Sequence, residues 1–200
     1  MGRISDRFNL EKQVTFYMSY HDNKTNQLIH FACIWPIFIT GVMILAQTEP
    51  LVEQPAFLTG LPYSQYMIMN YSAAMAALYM AWYMALDIFA GTIGAAMIFG
   101  IYLFANYFEK AAPELYGVSA WQIALPIHVA AWILQFIGHG VFERRKPALL
   151  DSLDQALITA PMFVLLEALF PLGYRPKLYE RVMKQVKINV KNFHSANKTL

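Results

Sequence analysis

Four stretches, Leu28–Ala46, Met67–Leu86, Ile88–Tyr107 and Trp121–Phe142, contain no Asp, Glu, Lys or Arg. Wound as helices at 1.5 Å per residue, runs of about twenty residues match the roughly 30 Å hydrocarbon core of a bilayer. Only 14% of the chain is charged, against about a quarter in a soluble domain. The deficit is gathered into these runs rather than spread evenly, which marks membrane spans and not a greasy soluble core. The fold class expected is all-α: a polytopic membrane helical bundle.

Around the spans, residues 8–21 read as an amphipathic helix, with Leu10, Val14, Tyr17, Met18 and His21 at helical spacing, suited to the membrane interface. Asp22–Asn26 is expected to turn, with Asn26 as N-cap of the first span. Residues 47–62 and 109–117 are expected as loops. Gly91, Gly94, Ala95 and Gly100 would let the third span pack closely, and Asn70 would hydrogen-bond between helices. Residues 153–172 are apolar, but Pro161 lies within them, Glu167 interrupts them and Pro171 closes them. We expect a broken re-entrant or fifth hydrophobic helix there, with Pro161 as the break.

Arg3, Arg7, Lys12 and Lys24 precede the first span and Arg144, Arg145 and Lys146 follow the fourth, whereas the intervening loops are acidic. The positive-inside rule puts the N-terminus and residues 143–153 in the cytoplasm. One domain is expected: an interfacial segment 1–26, a membrane bundle 27–172 and a basic cytoplasmic tail 173–200. A net charge of +2 gives no electrostatic footprint for nucleic acid. Cys33, alone, excludes an internal disulfide, and the polar start argues against a cleavable signal peptide. The acceptor patterns at Asn23 and Asn197 would matter only in a lumen.

The chemistry lies in the histidines. His128, Trp132, Gln135, His139 and Glu143 share one face of the fourth span and form a polar seam, which belongs inside a bundle. His128 and His139 are about 16 Å apart on a straight helix, so they cannot hold the same ion. His21, His30 and His139 all fall near the cytoplasmic boundary. They are candidate metal ligands, with a carboxylate from Glu143 or Asp22. Neutral imidazoles with open positions left over suit non-haem Fe(II), and zinc fits the same ligands. Against this stands the reading in which each histidine is a hydrogen-bonded interior residue, which is favoured for His128. Arg144, Arg145 and Lys146 serve either as interfacial anchors or as a carboxylate-binding group. Tyr79, Trp82 and Tyr83 read as packing residues, and His194 lies in the tail.

Tyr20-His21 with Asn23, Asn26 and Ile29-His30, the string Gln135-Phe136-Ile137-Gly138-His139-Gly140-Val141-Phe142-Glu143, and then Arg145-Lys146-Pro147, Ala160-Pro161-Met162-Phe163, Glu167 and Leu172-Gly173-Tyr174 resemble a known family. It is the fungal-type 2-hydroxy fatty acid dioxygenases of the endoplasmic reticulum, which act in phytosphingosine breakdown. The resemblance is close over residues 16–38 and 130–178. It implies Fe(II)-dependent α-oxidation, in which a 2-hydroxy fatty acid and O2 give a fatty acid one carbon shorter and CO2. His21, His30 and His139 match the family's histidines, while Asp22 stands where the family has another. The implied roles are metal ligation by the three histidines, with Glu143 also catalytic, substrate binding by Gln135, Arg145 and Lys146, and support from Asp22 and Asn26. A zinc-dependent membrane hydrolase and a non-enzymatic lipid-binding protein are the competing functions.

Overall fold

The computed structural model describes residues 4–146 and 155–197, and among these the chain is helical with no strand. A short helix α1 (Ile4–Arg7) leads into α2 (Leu10–Ser19), which begins where Asn9 Oδ1 accepts from the Lys12 amide. α2 buries Leu10, Val14, Tyr17 and Met18, the stripe expected of the amphipathic segment. α3 (Lys24–Leu45) is the first crossing helix. Its N-cap is Asn23 and not Asn26: extended at Asn23, the chain lets Oδ1 accept from the amides of Thr25 and Asn26. This leaves the Asn26 side chain free for another task.

α4 (Tyr71–Leu86) and α5 (Ile88–Tyr116) form an antiparallel hairpin that turns on Asp87. A Cβ at Gly91 would collide with the Tyr83 carbonyl, and one at Gly94 would sit 2.8 Å from the Tyr83 ring. These two glycines therefore set the closeness of the hairpin. Gly100 faces open space and has no such part. Asn70 caps α4 and donates to Asn106 Oδ1 at 2.9 Å, while Asn106 donates to Ser72 Oγ, so a buried amide pair ties the hairpin at its open end.

α5 does not stop at residue 107. The segment 109–117, expected as a loop, is helical to Tyr116 and ends at Gly117 in the left-handed region (φ 70°). Glu109, Lys110, Ala111 and Ala112 are good helix formers, and their polarity marks the exit from the apolar zone, not the end of the helix. α6 (Ala120–Ile137) continues as a π-helical turn, Gly138–Glu143. Three helices are long and apolar enough to cross a membrane: Lys24–Leu45, Ile88–Tyr116 and Ala120–Glu143. With 16 residues, α4 is about 24 Å long.

A π-helical turn (Gln155–Thr159) leads into α7 (Ala160–Leu169), whose residues 160–166 are all buried. Pro161 lies in the first turn of α7, where its missing amide costs nothing. The break is elsewhere. The chain bends by 116° between Leu172 and Pro176, through Gly173 and Arg175 at positive φ. α8 (Pro176–Asn197) then packs on α2, with Arg181 bidentate on Glu11 and Asn189 donating to Ser19 Oγ. The bend is pinned by Asp87, whose buried carboxylate accepts from Tyr174 Oη at 2.7 Å and pairs with Arg175 at 2.8 Å. The break expected at Pro161 is thus absent: Pro161 lies in the first turn of α7, and the chain turns only after Leu172, where Gly173 and Arg175 adopt positive φ.

α3 and α6 pack antiparallel. His30 meets His139 at one end, and Thr40 meets His128 eleven residues away on α6. Gly138 makes the approach possible, since a Cβ there would run into Asn26 Oδ1.

Candidate metal centre

His21 follows the last turn of α2, His30 lies in the second turn of α3, and His139 lies in the π-helical turn that ends α6. Their ring centroids are 4.3 Å (His21–His30), 4.7 Å (His30–His139) and 5.0 Å (His21–His139) apart. One ring nitrogen from each lies within 4.8 Å of the others. All three side chains are buried.

The backbone sets the tautomers. His21 Nδ1 lies 2.7 Å from the Tyr17 carbonyl, and His30 Nδ1 lies 2.9 Å from the Asn26 carbonyl. A carbonyl only accepts, so each Nδ1 carries the proton and each Nε2 is left as a lone pair. Burial and the neighbouring His30 hold His21 well below the usual histidine range, so its ring is neutral. His21 Nε2 and His139 Nδ1 are buried with no hydrogen-bond partner. Buried lone pairs left unmade are costly. Neutral imidazole nitrogens converging on one point fit a transition-metal ion.

Glu143 has a different part from that of a fourth ligand. One carboxylate oxygen accepts from the Asp22 amide, and the other from the Asn23 amide and Asn26 Nδ2, at 2.9–3.0 Å. The last residue of the π-helical turn therefore clasps the 22–26 turn that joins His21 to His30. Asn26 closes the circuit, because its carbonyl takes the His30 proton. The Asp22 side chain is exposed and lies outside the donor group.

The triad closes one end of a cavity of about 220 Å³ walled by Ile34, Ile37, Phe38 and Pro161. Gln135, one turn before His139, lines it, with only 6% of the residue exposed and its Nε2 unpaired. Arg145 lies elsewhere. It donates to the Ser19 carbonyl at 2.7 Å, and its guanidinium sits 3.5 Å from the Tyr20 ring centre and 4.3 Å from that of Phe193. It thus clamps α8 and α2 to the foot of α6. Lys146 is exposed, and neither it nor Arg145, Glu143 or Glu167 lines the cavity. Arg144 is exposed, and Pro147 lies outside the described residues.

His128 lines the same cavity at its other end, with Gly41 and Met75. Sequence patterning brings it to the seam but gives no sign of a shared cavity. Phe16, Ala156, Leu157 and Ala160 also form part of the wall, in a segment anchored by Tyr79 Oη donating to the Leu157 carbonyl and Trp82 Nε1 to Thr159. Ala160 belongs to the string that carries the resemblance, but periodicity and charge do not mark any of these as wall residues, because that packing arises only when α7 packs into the bundle.

A bundle of helices long and apolar enough to cross a membrane, closed over a buried three-histidine centre at the head of a mostly apolar cavity, defines a helical membrane protein built around a metal-ready site. The chain belongs to the Mpo1-like family: the family profile, described as 2-hydroxy-palmitic acid dioxygenase Mpo1-like, matches residues 8–172. It is 29% identical over 184 residues to the 2-hydroxy-palmitic acid dioxygenase MPO1 of Saccharomyces cerevisiae, covering 92% of this chain and 93% of the yeast protein. No solved structure matches the chain. The matched region contains all three histidines, Gln135 and Glu143, and ends at the bend before α8.

Proposed function

We propose that this chain is an Fe(II)-dependent dioxygenase that converts a 2-hydroxy fatty acid and O2 into the fatty acid one carbon shorter, CO2 and water. The observation that carries the reading is the set of partnerless nitrogens of His21 and His139 beside His30, at the head of a mostly apolar cavity. Family membership and the name of the yeast relative support it. When bound by His21, His30 and His139, the iron would supply open positions at which the hydroxy acid and O2 come together.

The residues do the rest. The Tyr17 and Asn26 carbonyls hold the His21 and His30 rings in the tautomer that offers Nε2. Glu143 holds the turn between them against α6. Gln135 Nε2, a buried donor without a partner, hydrogen-bonds the substrate's carboxylate or 2-hydroxyl and so orients the head. The apolar walls take the acyl chain and exclude water. Arg145 acts through the α2–α8 clamp and not on the substrate.

The reading includes a place in the endoplasmic reticulum membrane, with the site on the cytoplasmic side, and a role in degrading sphingolipid long-chain bases. The family resemblance supports both, and the basic residues flanking the spans support the cytoplasmic side. The primary test is O2 uptake by purified protein loaded anaerobically with Fe(II) and given 2-hydroxypalmitate. Uptake with formation of pentadecanoate is expected, and zinc-loaded protein should be silent. Absence of uptake in iron-replete protein sinks the reading.

A further inference from the structure

The two ends of the cavity are in opposite states of hydrogen bonding. At the triad, His21 Nε2, His139 Nδ1 and Gln135 Nε2 have no partners. At the other end, Trp132 Nε1 donates to His128 Nε2 at 3.0 Å, so the His128 proton is on Nδ1, 2.9 Å from Thr40 Oγ1. That hydroxyl donates in turn to the Pro36 carbonyl at 2.7 Å. Both nitrogens of His128 are therefore used. What it presents to Gly41 is the Cε1–H edge: a Cβ built on Gly41 would lie 3.7 Å from His128 Cε1 and 4.0 Å from Met75 Cε. A wall whose polar atoms are satisfied among themselves offers nothing to a charged head and costs a terminal methyl nothing.

We propose that Gly41, Met75 and His128 are the stop against which the acyl tail ends, and that they set the chain length this protein accepts. The inference rests on the reading above for the identity of the ligand as a 2-hydroxy acid bound head-first at the triad. The spacing supports it. The eleven residues from His128 to His139 span about 16 Å of helix. An extended alkyl chain with bonds near 1.5 Å advances roughly 1.25 Å per carbon, so that distance holds about thirteen carbons. With the two head carbons at the triad, the length approaches that of the hydroxypalmitate in the yeast relative's name.

The stop can be moved in both directions. The contacts a Cβ would make at Gly41 are ordinary ones, so Gly41→Ala should insert a methyl without displacing the backbone, and Gly41→Leu should fill several carbons' worth of space. Met75→Ala should deepen the floor. The full-length, metal-loaded protein in nanodiscs would be given saturated 2-hydroxy acids of ten to twenty carbons. Two profiles against length would be read: O2 uptake, and displacement of a bound fluorescent fatty acid. Gly41→Ala should shift the preferred length down by one or two carbons and Gly41→Leu by about three or four. Met75→Ala should shift it up by one or two. Acids that no longer fit should lose about tenfold or more per excluded methylene. A displacement optimum that stays put in both Gly41→Ala and Met75→Ala overturns the stop, whether or not Gly41→Leu folds. Failure of the dioxygenase reading would show differently: no O2 uptake at any length in any variant, with the displacement profiles still readable.

Discussion

Helix α6 and the π-helical turn that continues it carry one histidine each along the same seam, and the two meet opposite fates. His139 has a buried Nδ1 with no partner and stands within ring-contact distance of His21 and His30. His128, eleven residues earlier, spends one nitrogen on the Trp132 indole and the other on Thr40. Residue type, seam and cavity are the same. What differs is the surroundings: no hydrogen-bonding group reaches the buried Nδ1 of His139, whereas an indole N–H caps the lone pair of His128 and Thr40 takes its other nitrogen. Availability of a lone pair, rather than the presence of histidine, separates a metal-ready end from a structural one.

The sharpest way to break this comparison is to remove one nitrogen from each end. His139→Ala should abolish both metal content, read by elemental mass spectrometry, and O2 uptake. Loss of residues that merely orient a ligand typically costs 10–100-fold in affinity or activity, so loss of a ligand should cost more than about 100-fold. Retained metal and turnover would mean that the triad is not the centre. Next in size is Glu143→Ala, which leaves the three rings in place but releases the Asp22, Asn23 and Asn26 donors. Metal affinity, measured by competition with a chelating dye, should fall by about 10–100-fold. Glu143→Gln, which keeps acceptor capacity, should recover part of it. An unchanged affinity in Glu143→Ala would return Glu143 to a passive role.

Some of this is written plainly in the chain and some is not. The spans are visible because lipid demands long apolar runs, and the inward seam from His128 to Glu143 is visible because it keeps helical spacing. The convergence of His21, His30 and His139 can also be anticipated, since all three lie beside one end of a span. The division of labour along the seam is not legible, because it depends on Thr40 in another helix and on which carbonyl faces which ring. Glu143 looks like a ligand from its spacing, yet its oxygens go to backbone amides that exist as a group only once the 22–26 turn has formed. Polarity likewise misplaces the end of α5, since leaving the membrane does not require leaving the helix. Arg145 reads as a carboxylate binder, but the aromatic rings of Tyr20 and Phe193, distant in sequence, take its guanidinium.

A smaller effect is expected from the satisfied end. His128→Leu strands the half-buried Trp132 indole N–H, a loss of about 1 kcal/mol, at the low end for an unpaired donor. Thermal unfolding should register it, while metal content stays at the level of the unaltered protein. Loss of metal in this variant would show that the two ends are not separable.

The smallest expected effect concerns protons at the triad. His21 is held below its ordinary pKa by burial first and by His30 second, so the folded chain resists protonation there while the unfolded chain does not. Between the ordinary value near 6.5 and the lower folded value, the unfolded state binds more protons, and stability must fall as pH falls. One group contributes at most about 1.4 kcal/mol per pH unit in that window. Metal-free protein should therefore lose thermal stability progressively as the pH is lowered below about 6.5, with little change above it. His21→Gln, which cannot take up the proton, should flatten that slope. A slope as steep in His21→Gln as in the unaltered chain would place the acid sensitivity elsewhere and remove His21 as a proton-excluding, lone-pair-offering ring.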